Sequence, residues 1–358
     1  MESIAKSTKL VESRPLKPRV PFDGVVVERK RPDLLRRFSA TPHAANVVVM
    51  DRTIRVESNR SQIVEKAREF FLRHQGPPVR DPEFLWRIVG EANCRSNAID
   101  IHLAAFSDIG VRYGSMGQRS FLAVDLDTRE AVAFVDERAV ESEPEFNCRS
   151  LFDTLFCMCA GSLGLTSLSG ACVGKGANGV LVFGSPNSGK TTTSYLAARR
   201  GLEFHADQAA FVEMHDGKVR VWGDLLPAIF RPESLEFLPE LRTSAREFSY
   251  PDLRVHYLSK RPFQAATAHP VAPLCCVFLD RHSSESRMLP ISRAEFKRRF
   301  ADNMLFNEDQ SFDVQSATVL EALSAVPAYQ LTYRDPEMAT TVLCDLLRRE
   351  PHRTGQTP

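Results

Sequence analysis

Gly184, Gly189, Lys190 and Thr191 stand at the spacing G-x-x-x-x-G-K-[ST], within the run Gly184-Ser185-Pro186-Asn187-Ser188-Gly189-Lys190-Thr191. These residue types at this spacing suit phosphate chemistry. Glycines free the backbone so that its N–H groups cradle phosphate oxygens, lysine reaches the β and γ oxygens, and the threonine hydroxyl binds Mg2+. The flanks agree. Gly179-Val180-Leu181-Val182-Phe183 reads as a short buried parallel strand. Thr192 to Arg200 is helix-compatible, with Gly201 placed to end it. Strand, glycine-bounded loop and helix together predict that Gly184 to Thr192 hold a nucleoside triphosphate with Mg2+. Asp207, on the strand expected after the loop helix, stands where a metal-binding or catalytic carboxylate belongs.

Around the loop, the spacing predicts a hairpin that joins the segment Leu165 to Val173, through a turn at Lys175–Gly179, to the phosphate-loop strand. Leu151 to Leu163 reads as an apolar helix. Glu203 to Val212 reads as a strand, paired through His215-Asp216-Gly217-Lys218 with Val219–Trp222, because Asp-Gly is a strong hairpin signal. Further on come a strand at Leu274–Leu279, a helix at Arg293–Asn303 with a Ser292/Glu295 capping box, and a helix near Val314–Leu323. A strand at Tyr329–Tyr333 and a closing helix from Asp335-Pro336 follow.

Upstream, Val47–Met50 and Thr53–Glu57 read as strands. Asn59 or Ser61 opens a helix from Gln62 to His74, ended by Gly76, and a second helix spans Pro82–Glu91. Phe121–Asp125 and Ala131–Val135 flank Asp127-Thr128-Arg129 as a hairpin. His102, between Ile101 and Leu103, reads as a structural histidine.

The 358 residues suggest two domains. The divisions are a basic arm over residues 1–40, an α+β domain over 41–150, a phosphate-loop domain over 151–350 and a tail over 351–358. The arm carries ten Lys/Arg against five Asp/Glu, which reads as a solvated terminus. A composition of 43% hydrophobic and 25% charged residues with net charge +1 gives no argument for nucleic acid or membrane partners. No apolar run is long enough to span a bilayer, and the start lacks a signal-peptide core. The eight cysteines (Cys94, Cys148, Cys157, Cys159, Cys172, Cys275, Cys276 and Cys344) show no C-x-x-C pair. They read as reduced core residues of a cytoplasmic protein.

The loop alone leaves ATPase, GTPase, kinase and passive binder open. No N-K-x-D-like guanine reader follows it, and no second motor lobe. Leu168-Ser169-Gly170-Ala171-Cys172-Val173, the loop with its strand, and Ala197-Ala198-Arg199-Arg200-Gly201-Leu202-Glu203-Phe204-His205-Ala206-Asp207 together resemble the catalytic domain of HPr kinase/phosphorylase. More closely they resemble the broad group of HPr-kinase-like proteins, whose layout is a strand with L-H-x-x-x-V, the loop, R-R-G and a strand ending in Asp-Asp. Ile229-Phe230-Arg231-Pro232-Glu233-Ser234 and Pro327-Ala328-Tyr329-Gln330-Leu331 look like further features of the group. The similarity covers residues 150–348, and the front section does not resemble the sensor domain of the bifunctional bacterial enzymes.

The resemblance implies an α/β fold with a phosphate-loop kinase core of the HPr-kinase/PEP-carboxykinase type, and the residues before it read as a smaller N-terminal α+β domain. It implies a catalytic set of Lys190 on the phosphates, Asp207 as metal-associated carboxylate and base, and Arg231 facing phosphates or acceptor. Thr191 and Asp207 would hold the metal. The activity implied is ATP/Mg-dependent transfer of the γ-phosphoryl group to a hydroxyl of a protein, peptide or small molecule, and relatives commonly form homo-oligomers. Three positions depart from the group: Ser169 replaces histidine, Gln208 the second aspartate and Asn187 a loop glycine, which asparagine's tolerance of left-handed geometry accommodates. The first two keep open a second reading, an ATP-binding regulatory or adaptor protein with reduced catalysis. His205, two residues before Asp207, shares its strand face if the alternation is regular. Asp224 and Asp280-Arg281-His282 are lesser candidates near the cleft. Arg348-Arg349 suits a helix C-terminus.

Overall fold

In the computed structural model the described residues are 39–72, 81–91, 101–106, 110–116, 120–137, 144–223, 228–250, 253–258, 269–281, 286–305 and 314–348. All fall in the unit Ser39–Pro358. The arm over residues 1–38, Gly76, Cys94, Asp224, His282, Arg349 and the tail lie outside the described residues.

The two strands expected at the front, β1 (His43–Val49) and β2 (Arg52–Ser58), pair as an antiparallel hairpin. Its turn residues Met50 and Asp51 both take left-handed geometry, φ 49° and 62°, matching the twist of the strands they join. α1 (Ser61–Phe71) buries Ile63, Val64, Ala67 and Phe71. Its N-cap is Arg60, without a side-chain cap. Asn59 is unavailable for that role, because its amide brackets Gly90, accepting from the Gly90 N–H at 2.8 Å and donating to the carbonyl at 3.0 Å.

The predicted helix over Pro82–Glu91 is instead β3 (Phe84–Glu91). Phe84, Trp86 and Ile88 are buried while Leu85 and Arg87 are half-exposed, a period of two that apolar Leu85 and Val89 on the other face obscure in the sequence. β4 (Ile101–Phe106), β5 (Val111–Met116), β6 (Ser120–Asp125) and β7 (Glu130–Asp136) complete a mixed seven-stranded sheet, ordered β1-β2-β3-β7-β6-β5-β4. β3 runs parallel to both its neighbours.

α2 (Pro144–Cys159) continues into a 3-10 turn, Ala160–Leu163, that Gly164 ends at φ 77°. Beyond it the predicted single strand Leu165–Val173 is two strands. β8 (Thr166–Ser169) and β9 (Ala171–Lys175) belong to different sheets, divided at Gly170. A Cβ on Gly170 would lie 3.0 Å from the Phe183 ring. β10 (Asn178–Phe183) pairs antiparallel with β9, as the glycine turn predicts, and parallel with the later strand Ala272–Asp280. α3 (Lys190–Arg199) follows the loop.

The segment Glu203–Val212 breaks in the same place. β11 (Glu203–Ala206) pairs with β9, whereas β12 (Ala209–His215) pairs with β8 and with β13 (Lys218–Trp222). Asp216 and Gly217, at φ 49° and 72°, make the expected turn between β12 and β13. β14 (Ile229–Phe230), β15 (Arg246–Tyr250) and β16 (Leu253–Tyr257) form a small sheet, with single helical turns at Ser234–Phe237 and Leu241–Ser244.

β17 (Ala272–Asp280), β18 (Arg287–Pro290) and β19 (Ala328–Thr332) complete the central sheet, ordered β11-β9-β10-β17-β19-β18. α4 (Arg293–Ala301) starts at Ser292, whose hydroxyl accepts from the Glu295 N–H. Its Phe296 and Phe300 join α5 (Val314–Leu323) against Leu181, Phe183, Cys276 and Phe278. On the opposite face, Val180, Val182 and Val277 pack under α3 and α6 (Pro336–Arg348). The fold is mixed α/β, and both faces of β10 are buried. Among the described residues no helix is long and apolar enough to cross a membrane.

Candidate functional site

The loop between β10 and α3 has a conformation that its sequence dictates. Gly184, Asn187 and Gly189 all have positive φ, at 151°, 69° and 89°. A Cβ on Gly184 would fall 2.4 Å from Ser188 Oγ and 2.9 Å from the Leu279 carbonyl, so the chain turns here against the end of β17. A Cβ on Gly189 would fall 2.2 Å from the hydroxyl of Tyr333. That tyrosine, fully buried just past β19, donates to the Ser188 carbonyl and holds the loop from beneath. Thr193 fastens the first turn of α3, both its N–H and its hydroxyl donating to the Gly189 carbonyl. Ser185, Pro186 and Asn187 are exposed, Lys190 and Thr191 half-buried, and Thr192 and Ser188 buried.

Lys190 arches over the loop, its ammonium donating to the carbonyls of Gly184 at 2.6 Å and Ser185 at 3.2 Å. Burial pushes its pKa below the usual lysine value, and the Asp207 carboxylate partly offsets that shift. A desolvated ammonium held over a glycine-rich loop at a helix N-terminus is suited to receiving phosphate oxygens.

Asp207 lies at a corner of the fold. Two strands cross there from the central sheet into the sheet β13-β12-β8, the first at Gly170 and the second at Asp207-Gln208, joined by a Gly170 N–H bond to the Gln208 carbonyl at 3.2 Å. The Asp207 side chain is buried, and its Oδ2 accepts from the Ile229 N–H at 3.3 Å. A carboxylate and a threonine hydroxyl are both hard oxygen ligands, the type that holds Mg2+ together with substrate phosphates.

His205 does not share that position. Across the pair β11–β9, Glu203 faces Gly174, Phe204 faces Val173 and Ala206 faces Cys172, which leaves His205 as a bulge. Phe204 consequently packs with Tyr195 and Leu196 on the α3 side, while Ala206 joins Cys172 on the opposite side. The regular alternation behind the predicted His205–Asp207 face is broken. His205 Nε2 instead meets the Glu203 carboxylate at 3.2 Å and occupies the space over Gly174, where a Cβ would come within 2.5 Å of it. Ser169, at the end of β8, faces Ala209 and donates its N–H to the Asn303 carbonyl at 2.6 Å.

A cleft of about 500 Å³ opens above the loop. The structure brings Asn187, Gly189, Lys190, Thr191 and Thr192 together with Arg231 along its walls, and Gln208 joins them. Gly184, Ser185, Pro186 and Ser188 shape the loop behind. The cleft also takes in Phe237 and Arg281, whose guanidinium lies 5.3 Å from the Phe237 ring centre. Arg281 was legible as the first residue beyond a buried strand's carboxyl end, next to the loop strand. Tyr333 and Phe237 carried no such signal, because each reaches the site through contacts remote in sequence.

The chain matches no described protein family and no curated protein. Among solved structures it is similar to the Hpr(Ser) kinase/phosphatase from Coxiella burnetii, with 9% identity and a TM-score of 0.27, covering 50% of this chain and 88% of that one. At that identity and score the likeness assigns neither family nor activity.

Proposed function

We propose that the chain is an ATP- and Mg2+-dependent kinase that transfers the γ-phosphoryl group to a hydroxyl of a protein, peptide or small molecule. The observation that carries this reading is the Lys190 ammonium poised over the loop, with the buried Asp207 carboxylate close enough to act on its pKa. Phosphoryl transfer asks chiefly for positioning and charge neutralisation. Lys190 and the loop N–H groups would grip the β- and γ-phosphates, and Thr191 and Asp207 would hold the metal, which neutralises charge on the transferring group. Asp207 would accept the proton of the acceptor hydroxyl, and Arg231 on the facing wall would meet the phosphates or the acceptor. This core would be of the HPr-kinase/PEP-carboxykinase type. The free, buried cysteines Cys157, Cys159, Cys172, Cys275, Cys276 and Cys344 suit the reducing cytoplasm.

One observation favours the second reading, a nucleotide-binding regulator: Gln208, lining the cleft beside Asp207, brings an uncharged amide where a second carboxylate would serve the metal. Asp207→Asn separates the two. A kinase retains nucleotide binding in this variant while ATP turnover, read as phosphate release or transfer, falls by about 10²–10⁴-fold, the usual share of a positioned base. Wild-type protein that binds ATP·Mg2+ and shows no turnover for the substitution to remove would contradict the kinase and support the regulator.

A further inference from the structure

The loop accounts for the phosphates of a nucleotide; other residues that line the same cleft are unassigned. Among them Phe237 closes the single turn Ser234–Phe237, 45% exposed although it is a large aromatic side chain. Phe230, seven residues earlier on β14, is 1% exposed and packs edge-on against Tyr195 of α3, with ring centres 5.2 Å apart. The wall that carries Phe237 is therefore anchored to the helix that begins at the loop. Leu72 and Leu289, the other exposed large hydrophobic residues among those described, do not line this cleft. The Arg281 guanidinium lies across the Phe237 ring, 5.3 Å from its centre.

From this arrangement we infer that Phe237 and Arg281 form a stacking platform for the nucleobase of the triphosphate whose phosphates the loop binds. The inference rests on the nucleotide reading above and adds the base subsite to it. An aromatic ring and a guanidinium both offer flat, polarisable faces on which bases stack. The cleft that joins loop and platform is within the size range of small-molecule sites. Cation–π contact with Phe237 holds Arg281 in place before the base arrives, which lowers the ordering cost of binding.

The test compares ATP·Mg2+ with tripolyphosphate·Mg2+, which has the phosphates and no base, by calorimetric titration of wild type, Phe237→Ala and Phe237→Trp. The exposed position makes both substitutions compatible with folding. Phe237→Ala should weaken ATP about 5- to 100-fold, the range for losing one base–aromatic stack, and leave tripolyphosphate within about two-fold. Phe237→Trp should retain ATP affinity, with indole fluorescence quenched by ATP and not by tripolyphosphate. Equal weakening of both ligands, or no effect on either, overturns the platform while leaving the phosphate site standing. Unchanged affinities with reduced turnover would also overturn it and give the ring to the acceptor. Wild type that binds neither ligand would remove the nucleotide reading and the platform together.

Discussion

In the proposed kinase Lys190 carries the phosphate chemistry, and its environment would make that chemistry pH-dependent. In the free protein burial lowers its pKa below 10.5, with the Asp207 charge opposing the shift. A bound triphosphate surrounds the ammonium with negative charge and raises that pKa, so binding is coupled to keeping or taking up a proton. Affinity is therefore full below the lowered value and declines as pH rises through it, before the ordinary lysine range is reached. Titrations of ATP·Mg2+ at increasing pH should show this loss in wild type, and Lys190→Arg, which stays charged, should flatten it. A wild-type affinity independent of pH up to 10.5 would contradict the account.

The loop works as an element because another element holds it. Tyr333, one residue beyond β19, donates to the Ser188 carbonyl and abuts Gly189, whose φ is 89°. Gly189→Ala adds a left-handed penalty of about 1–2 kcal/mol to a collision with the tyrosine hydroxyl. Tyr333→Phe removes that oxygen and a hydrogen bond, at about 1 kcal/mol. Denaturant unfolding should show the double variant less destabilised than the two single costs together, because removing the hydroxyl relieves the collision. Strict additivity would mean that the two residues do not meet.

At this scale the sequence was a good guide wherever a signal was local. The glycine-bounded loop, the Asp216-Gly217 hairpin, the Ser292 cap and the strand at Ala272–Asp280 all depend on neighbours in the chain. It misled where neighbours do not decide. Leu85 and Val89 make the other face of Phe84–Glu91 partly apolar too, so its two-residue period emerges only once a sheet buries one face more than the other. The breaks at Gly170 and Asp207-Gln208 come from two strands changing sheets side by side, and the bulge at His205 from pairing with β9. No single-strand pattern contains those partners. The Tyr333 clamp and the Phe237–Arg281 contact were hidden for the same reason.

Across the whole molecule, one buried cluster runs from Val47, Trp86 and Leu122 in the seven-stranded sheet, through Phe152 and Phe156 of α2, to Phe211 and Trp222 of β12 and β13. A polar link crosses the same ground. Arg52 at the start of β2 donates to the Leu163 carbonyl at 3.1 Å and pairs with Glu213 of β12, whose other oxygen accepts from Trp222 Nε1 at 2.8 Å. Both charged side chains are largely buried, 13% and 6% exposed. Glu213→Ala leaves the Arg52 charge buried without its partner and should cost about 3–5 kcal/mol in unfolding free energy. Replacing both, Arg52→Met with Glu213→Leu, should restore part of that loss, since an apolar pair of similar volume substitutes well for a buried ion pair, while the Trp222 Nε1–H left without its acceptor retains the rest. Equal losses in the single and double variants would contradict the link.

The nucleotide site proposed at the glycine-bounded loop meets its most direct test in calorimetric titration of ATP·Mg2+ into wild type and Lys190→Ala, with phosphate release measured on the same samples. The account predicts binding and turnover in wild type, and loss of both when the ammonium is removed. Binding of equal strength in the two proteins, or none in wild type, would contradict it.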